Sequence, residues 1–409
     1  MNWLADPDLY TGYYRQVSHY KAKSRYNKLQ ISKLIIQVVD ALVEHGYVDH
    51  KKGFYDYSSR TSRIRGTKKL FELIKRHEVT SQMVEKHPNT ECIILRDVND
   101  NKKIQIEYED TDETRSMRSV LVNYNNLLRK THIDIPHAPK EGIITSKGYK
   151  VLISDHEKFV RRVFNNGSFQ EGGRFYGGWW QRLSKEWRTS IRLNRTPVVE
   201  HDYSGLHVRM LYAQEGMELK GDAYDLSEEG ITTEDIRPFL KVMLLILLNA
   251  QNEEQAIRAI RNEVHWNEQL TIDLNLNDLI EAFTRRHEAI HKYFYSGYGI
   301  QLQRIDSSIA QHVISHFTNK DIPVLCVHDS FIAPTIHGED LTKEMIRGYE
   351  KELSSTDVKI SLEGIDPHRF RNDRDFIIDL MFKNKDREYE QRLDDFLARD
   401  IEPHYRIEE

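Results

Sequence analysis

The chain has 409 residues, of which 39% are hydrophobic and 30% charged, and its formal net charge is −5. This length allows two or three domains with a real core. The acidic balance excludes an overall positive field that attracts nucleic acid, so any basic surface must be local. Two widely separated cysteines, Cys92 and Cys326, indicate a reducing compartment. The N-terminal residues lack a signal-peptide pattern, and the longest apolar run, 242–248, is too short to span a bilayer. We therefore expect a cytoplasmic protein without a membrane partner.

The first 90 residues predict a helical, winged-helix-like domain that binds DNA. Apolar residues recur at helical spacing over 30–45, a strand and turn follow at 46–53, and a returning strand is expected over 54–64 before a helix near Leu70. The alternative is a solvated basic face on an ordinary helical domain, because charge runs are usually only solubilising. The basic side chains that could lie on phosphates are Arg60, Arg63, Arg65, Lys68 and Lys69.

Residues 91–150 predict a hairpin, a helix and a linker. Two strand-like runs at 91–97 and 103–108 flank an Asn-Asp-Asn turn. Residues 112–130 have one apolar helical face, and 132–147 contain two prolines. We expect this last segment to be a loop and the domain boundary.

Glycines, aromatic residues and arginines are concentrated between residues 165 and 192. Glycines let a backbone approach a ligand closely, aromatic rings stack on bases, and arginines bind phosphates. Arg174 and Arg182 are therefore candidates for contact with nucleic acid. For Trp179 and Trp180, packing against the core is an equally good interpretation.

Two apolar strands each end in an aspartate. Val198 and Val199 lead to Asp202, and a turn into a helix follows. The run 322–327 leads to His328-Asp329-Ser330, which fits the tip of a β-hairpin. A buried carboxylate is costly unless a cation lies beside it. Asp202 and Asp329 therefore predict a site for two Mg²⁺ ions, which can activate a 3′ hydroxyl and stabilise a leaving pyrophosphate.

Later helices add basic and polar candidates. A helix is predicted over 237–249 with Pro238 just inside its start, and its Arg237 and Lys241 are four residues apart, on one face. A helix is expected over 278–295, and Gln303 opens another. Residues 371–409 are charge-rich and predict a solvated helix and tail.

In their order along the chain, these segments resemble motifs of the superfamily that joins family A DNA polymerases to single-subunit phage and mitochondrial RNA polymerases. The aspartate turn at Asp202 is similar to motif A, and His328-Asp329-Ser330 to motif C in the His-Asp-Ser form of many RNA polymerases. Arg237 and Lys241 match the motif B pair that grips the incoming triphosphate. Gly173-Arg174 resembles the segment that holds the primer–template backbone, and Gln303 resembles a template-contacting glutamine.

The sequence departs from the superfamily at three positions. Leu245 and Asn249 stand where motif B usually has an aromatic residue and a tyrosine. His207 stands where the DNA enzymes have the glutamate that blocks a 2′ hydroxyl. Hydrogen bonds from His207 and Asn249 to that hydroxyl would favour ribonucleotides, whereas the bulk of His207 would favour deoxyribonucleotides, so the choice of sugar stays open.

The resemblance covers residues 157–340 and implies an α/β (α+β) right-hand polymerase. We expect a palm with an antiparallel sheet in 151–370, reduced fingers around 220–295, a thumb-like unit in 91–150, the winged-helix-like domain in 1–90 and a charged C-terminal region in 371–409. The implied activity is template-directed nucleotidyl transfer by a DNA or RNA polymerase, or a primase-like enzyme, without proofreading, in the replication or transcription of a phage or mobile element.

The same resemblance implies a role for each candidate residue. Two Mg²⁺ ions would be held by Asp202 and Asp329, and His328 would position the primer terminus. Nucleoside triphosphates would contact Tyr203, His207, Arg237, Lys241 and Asn249, and the template and primer would contact Arg174, Arg182 and Gln303. One alternative is a DNA-binding replication initiator or regulator with an inactive palm. Another is a metal-dependent nuclease, which would need neither Arg237 nor Lys241.

Overall fold

The computed structural model describes residues 9–53, 61–79, 83–100, 102–139, 141–266, 275–364, 387–399 and 401–407. Within them the chain is a mixed α/β protein with several sheets. No helix in these ranges is long and apolar enough to cross a membrane.

The N-terminal region contains the helix, hairpin and helix that the periodicity predicts. Its elements are β1 (Thr11–Tyr13), α1 (Leu34–Glu44), β2 (Val48–Lys51), β3 (Ser62–Gly66) and α2 (Lys68–Arg76). The three strands form an antiparallel sheet with β3 in the middle. The side chain of Thr67 accepts a hydrogen bond from the Leu70 backbone N–H and so caps α2. Residues 54–60, with Arg60, lie outside the described part, and the winged-helix assignment stays a prediction.

A second sheet joins the predicted hairpin to the segment before Asp202. The elements of this region are β4 (Ile93–Asn99), β5 (Lys102–Gln105), α3 (Asp112–Lys130), β6 (Ile133–Asp134), β7 (Ile143–Ile144), β8 (Lys150–Val151), β9 (Arg161–Asn165) and β10 (Ser168–Tyr176). The strand order is β10–β9–β4–β5, and β4 runs parallel to β9. Parallel neighbours need a long crossover, and the chain from 100 to 160, including α3, supplies it.

Buried hydrogen bonds also join α3 to the rest of the chain. The side chain of Asn125 donates to the carbonyl of Val160 and accepts from its N–H, at 2.9 and 2.7 Å. The hydroxyl of Tyr124 donates to the carbonyl of Val324 at 2.7 Å. Residues 91–130 therefore complete the core around the strands that follow them.

The predicted linker at 132–147 differs from expectation at its start. Residues 131–136 are all buried, and β6 pairs with a strand of the main sheet. The apolar side chains of Ile133 and Ile135 explain this placement, because they pack in the hydrophobic core. Pro136 and Pro139 follow β6 and do not interrupt it.

The main sheet carries both predicted aspartates. Its strands are β6, β11 (Arg192–Leu193), β12 (Thr196–Tyr203), β13 (Leu325–Val327), β14 (Ser330–Pro334) and β15 (Ile360–Gly364). The antiparallel order is β13–β14–β12, and the other edge of β12 pairs with β11 and β15. Because side chains alternate along a strand, Glu200 and Asp202 share one face of β12.

Helices cover the sheets and form the remaining layer. They are α4 (Lys185–Arg188), α5 (Leu206–Gln214), α6 (Arg237–Asn249), α7 (Glu253–Trp266), α8 (Leu276–Arg286), α9 (Gly299–Thr318), α10 (Gly338–Leu353) and α11 (Arg387–Leu397). α9 packs between β10 and α10. The predicted bounds of α3 and α6 agree with the structure, whereas α9 begins four residues before Gln303.

Candidate active site

Asp202 and Asp329 lie at neighbouring positions of the main sheet. Asp202 pairs with Ser330 across β12 and β14, and the Tyr203 N–H donates to the Asp329 carbonyl at 3.4 Å. His328 and Asp329 form the two-residue loop between β13 and β14, which confirms the predicted hairpin. His328 has a φ of +58°, a conformation that a non-glycine residue adopts rarely and that is common at functional sites.

The two carboxylates are crowded in a poorly solvated place. Burial, and then the charge of Asp329, raise the pKa of Asp202 from 3.8 to about 7. Burial and the charge of a third carboxylate, Asp306, raise the pKa of Asp329. Carboxylate oxygens are the ligands that Mg²⁺ prefers, and a cation here would relieve the repulsion. The donor set therefore fits divalent cations at Asp202 and Asp329.

His328 presents a free polar atom beside this pair. Its Nδ1 is buried and has no hydrogen-bond partner within the described part of the chain. Burial, and then the charge of Arg174, lower the pKa of the imidazole. His328 is therefore neutral at physiological pH, with one nitrogen available to a ligand.

Behind Asp329, α9 supplies a charged residue that sequence reasoning missed. Asp306 is 2% exposed, and Arg174 donates to its Oδ2 from Nε at 2.7 Å. The Nε2 of His207 lies 3.7 Å from the same oxygen and 3.2 Å from Arg174 Nη2. Arg174 and His207, predicted to contact primer and sugar, therefore share one buried carboxylate.

Gly173 permits this arrangement by its lack of a side chain. Its φ is +83°, and a Cβ there would lie 2.7 Å from Phe164 and 2.8 Å from the hydroxyl of Ser307 on α9. β10 can therefore approach α9 closely enough for Arg174 to reach Asp306. This explains structurally the Gly-Arg pair that the sequence singled out.

A second buried carboxylate lies beneath Asp202. Glu200 is 2% exposed, and Arg188 binds both of its oxygens at 2.7 and 2.9 Å. The hydroxyl of Ser330 donates to Glu200 at 2.8 Å. This network explains the serine of His-Asp-Ser, and the signal for it was the glutamate two residues before Asp202 in an otherwise apolar strand.

The two basic residues predicted to bind the triphosphate, Arg237 and Lys241, lie over one aromatic ring. The guanidinium of Arg237 and the ammonium of Lys241 lie 5.1 and 5.9 Å from the ring centroid of Tyr224, and Arg237 also pairs with Asp222. Burial raises the pKa of Tyr224 to about 12, and the charges of Asp222 and Asp329 add to the rise. Arg237, Lys241 and Tyr224 therefore form one cluster.

Two predicted nucleotide contacts are engaged elsewhere. The hydroxyl of Tyr203 donates to the carbonyl of Met345 on α10 at 2.6 Å, and the ring is buried. Asn249 ends α6, donates to the carbonyl of Leu245 and packs over Gly299. Twelve residues of helix separate Asn249 from Arg237, or roughly 18 Å. Strand alternation and helix length explain these positions, and the predicted nucleotide contacts of Tyr203 and Asn249 stay predictions.

The remaining nucleic-acid candidates are scattered. Arg182 pairs with Glu157, and Gln303 is half-buried one turn before Asp306 on α9. Trp179 and Trp180 are fully buried, so the packing interpretation applies to both. In the N-terminal sheet, Arg65 pairs with Asp49 at 2.7 Å.

The other two N-terminal candidates differ in exposure. The side chain of Lys68 is exposed and lies 3.9 Å from Glu72, and the Nε of Arg63 is buried without a hydrogen-bond partner in the described residues. The proposed phosphate contacts of Arg63, Arg65 and Lys68 stay predictions.

Another group of metal-binding side chains lies between α9 and α10. One nitrogen or oxygen from each of His316, Asp340 and Glu344 lies within 4.8 Å of the others. Lys320 approaches Asp340 at 3.1 Å, and Arg347 approaches Glu344 at 2.5 Å. These cations balance the two carboxylates, so the cluster is satisfied as an interhelical ion-pair network.

Comparisons with known proteins show a distant structural likeness. No protein-family model matches the sequence, and no curated protein matches it. Among solved structures, the chain is similar to the POL domain of Pol1 from M. smegmatis in complex with DNA primer-template and dNTP, with a TM-score of 0.32 and 11% sequence identity. The likeness covers 61% of this chain and about half (51%) of the other. A TM-score this low carries no argument, so the functional proposal rests on the geometry of the site.

Proposed function

We propose that this chain is a template-directed nucleotidyltransferase whose reaction is centred on Asp202 and Asp329. The observation that carries the proposal is the position of Asp202, at the end of β12, beside the β13–β14 loop that holds Asp329. Burial and a neighbouring carboxylate raise the pKa of each, Asp329 acting on Asp202 and Asp306 on Asp329. Two Mg²⁺ ions would be held by Asp202 and Asp329. When bound, the ions would supply a Lewis acid for the attacking hydroxyl and for the leaving oxygen.

The surrounding residues support a reaction on a triphosphate. In nucleotidyl transfer, the 3′ oxygen of a growing strand loses its proton and bonds the α-phosphorus, while the bond to pyrophosphate breaks. Arg237 and Lys241 would neutralise the leaving pyrophosphate, and Tyr224 holds the two cations together. Such catalysis is mostly positioning and electrostatic stabilisation.

His328, Arg174 and His207 would position the strand end and the nucleotide. The free Nδ1 of His328 can bond a sugar or phosphate oxygen, and the positive φ at this residue keeps the ring at the tip of the hairpin. Asp306 fixes the orientations of Arg174 and His207. Arg174 and His207 can then contact the nucleotide only as a coupled pair.

Primer extension tests this proposal directly. The full chain is incubated with Mg²⁺ and either dNTPs or rNTPs, on primed and on unprimed single-stranded templates. We expect extension by the wild type and its loss in Asp202→Asn and in Asp329→Asn. The matched control is Asp395→Asn, because Asp395 is exposed on α11 and its carboxylate accepts a hydrogen bond only from Gln391 within the described residues.

Each other outcome points to another function. If Asp202→Asn or Asp329→Asn retains wild-type extension, the assignment of the aspartates is wrong. Nucleic-acid binding without synthesis, and unchanged by both variants, would favour the DNA-binding initiator or regulator with an inactive palm. Strand cleavage without a need for triphosphate, and unaffected by Arg237→Ala, would favour the nuclease.

A further inference from the structure

Three basic side chains of the N-terminal region lie close to acidic partners, whereas Lys86 and Arg161 have no ion pair among the described residues. Arg65 pairs with Asp49, Lys68 lies near Glu72, and Arg15 pairs with Asp40. Lys86 and Arg161 instead line one cavity of about 460 Å³ on the β9–β10 sheet. Unpaired positive charge in an acidic chain is where a polyanion is expected to bind.

The charges of this cavity do not cancel within the described residues. Its acidic lining residues, Glu91 and Glu157, are engaged by Arg118 and Arg182 respectively. Burial and then the charge of Arg161 lower the pKa of Lys86, and burial and then Arg96 lower the pKa of Arg161. Each of these two cations is therefore affected by another cation and by no carboxylate.

The cavity also offers aromatic, imidazole and amide groups that a nucleic acid strand uses. Tyr26, His156 and Gln105 line it beside the two cations. Aromatic rings and imidazoles stack on bases, and amides bond sugar and phosphate oxygens. The volume is sufficient for a phosphate with its sugar.

The cavity begins next to the candidate active site. Arg161 is the cross-strand partner of Tyr176, so both side chains lie on one face of the sheet. The ring of Tyr176 contacts that of His328 with a centroid distance of 5.5 Å. Arg161 is thus roughly 10 Å from the hairpin tip, which is two to three nucleotides at the rise of one strand.

The segment between the two places is held rigidly. Gln181 accepts from the Gly177 N–H and donates to the carbonyl of Cys326 on β13, each at 3.0 Å. A Cβ on Gly177 would lie 2.2 Å from the Phe159 carbonyl oxygen, so the backbone there passes in close contact. Tyr176 and Gly177 therefore join the cavity to the hairpin of His328 and Asp329 through packed, hydrogen-bonded backbone.

We infer that Lys86 and Arg161 bind backbone phosphates of a nucleic acid strand as it passes His328 and Tyr176 and leaves the aspartate site. This inference rests on the proposed function for its direction, because the strand is the one being copied or extended. The binding itself needs no catalysis, so it can be measured separately.

The test is fluorescence anisotropy with a labelled 20-nucleotide single-stranded DNA, titrated with the full chain carrying Asp202→Asn. In that background, Lys86→Ala and Arg161→Ala are each expected to raise Kd about three- to tenfold at low salt. Each should also reduce the slope of log K against log salt by about 0.7, the value for one lost contact to a single strand. Circular dichroism of each variant checks that it folds, and Arg161→Gln, which retains hydrogen-bonding atoms, is the second variant.

The charge-matched control is Lys343→Ala on α10, where Lys343 lies 3.9 Å from Glu339 on the exposed side of the helix. The inference is overturned if this control changes Kd and slope as much as Arg161→Ala does, or if neither cavity variant changes them. A competition arm with inorganic pyrophosphate separates a strand site from a site for a small anion. Arg161-dependent binding of pyrophosphate without binding of the oligonucleotide would overturn the strand assignment.

The two proposals fail in different ways. If the wild type does not extend a primer but Arg161 and Lys86 still govern oligonucleotide binding, the proposed function is wrong and the strand site stands. If extension depends on Asp202 but substitution of Lys86 or Arg161 leaves the oligonucleotide affinity unchanged, the proposed function stands and the strand site is wrong.

Discussion

Asp202→Asn should make the cation-free protein more stable at neutral pH, although it should abolish synthesis. The pKa of Asp202 rises from 3.8 to about 7 on folding because of burial and the charge of Asp329. Such a change corresponds to about 4 kcal/mol, and screening by water at this half-buried carboxyl reduces it to roughly 2–3 kcal/mol. The asparagine keeps the shape and removes the charge.

The size of the stability difference depends on pH. The folded pKa is above the unfolded one, so between pH 4 and pH 7 the folded state holds a proton that the unfolded state has lost. Wild-type stability therefore falls as pH rises through this window, and the full cost applies above pH 7. The advantage of Asp202→Asn should be near zero at pH 4 and grow to roughly 2–3 kcal/mol at pH 8.

Urea denaturation after treatment with EDTA measures this difference. Tryptophan fluorescence is a suitable signal, because Trp179 and Trp180 are fully buried and Trp180 bonds the carbonyl of Cys326 on β13. Adding Mg²⁺ at 100 times its Kd should raise wild-type stability by about 2.7 kcal/mol at pH 8 and the variant much less. A difference that stays constant between pH 4 and pH 8, or a variant less stable at pH 8, would refute the assignment of charge repulsion at Asp202.

Three further predictions use other parts of the molecule. Reversing Arg63, Arg65 and Lys68 to Glu should weaken duplex DNA binding and flatten its salt dependence by about 0.9 per lost phosphate contact, and unchanged affinity and slope would identify a solvated face. Single-nucleotide incorporation should show acceptance of rNTPs through hydrogen bonds from His207, and a clear dNTP preference that His207→Ala relaxes would instead identify a steric gate. Asp306→Ala should lower the free energy of unfolding in urea by about 3–5 kcal/mol, because it leaves Arg174 without its buried partner. The double variant Arg174→Leu/Asp306→Leu should recover much of that loss. A loss below about 1 kcal/mol would show that the pair is solvated.

The sequence predicted the parts of the fold that local patterns encode. The helices at 112–130 and 237–249 have clear apolar periodicity, and the two-residue tip at His328-Asp329 follows a short apolar run. The pairing of Asp202 with Ser330 also agrees with the expectation that the two aspartates meet. The helices and the hairpin tip depend on residues that are close together in the sequence, and the two aspartates each follow a recognisable strand.

Long-range partners could not be read from the sequence. Nothing near Arg174 in the sequence indicates Asp306, which lies 132 residues later. Likewise, β4 pairs with β9 across a long crossover, and Lys86 and Arg161 meet at a cavity from segments 75 residues apart. The basic residues at 60–69 are close together in the sequence, whereas Asp49, which pairs with Arg65, comes from the neighbouring strand β2.

The hydrogen bonds between Asn125 and Val160 bear on how this protein can be dissected. A fragment that starts at residue 151 would lose β4 from the edge of β9, and it would leave the N–H and carbonyl of Val160 without their partner. The fragment that starts at residue 151 is therefore not expected to fold alone or to be transferable to another protein. A minimal version has to retain residues 91–130, and lineages that lose this region would have to lose or rebuild the site along with it.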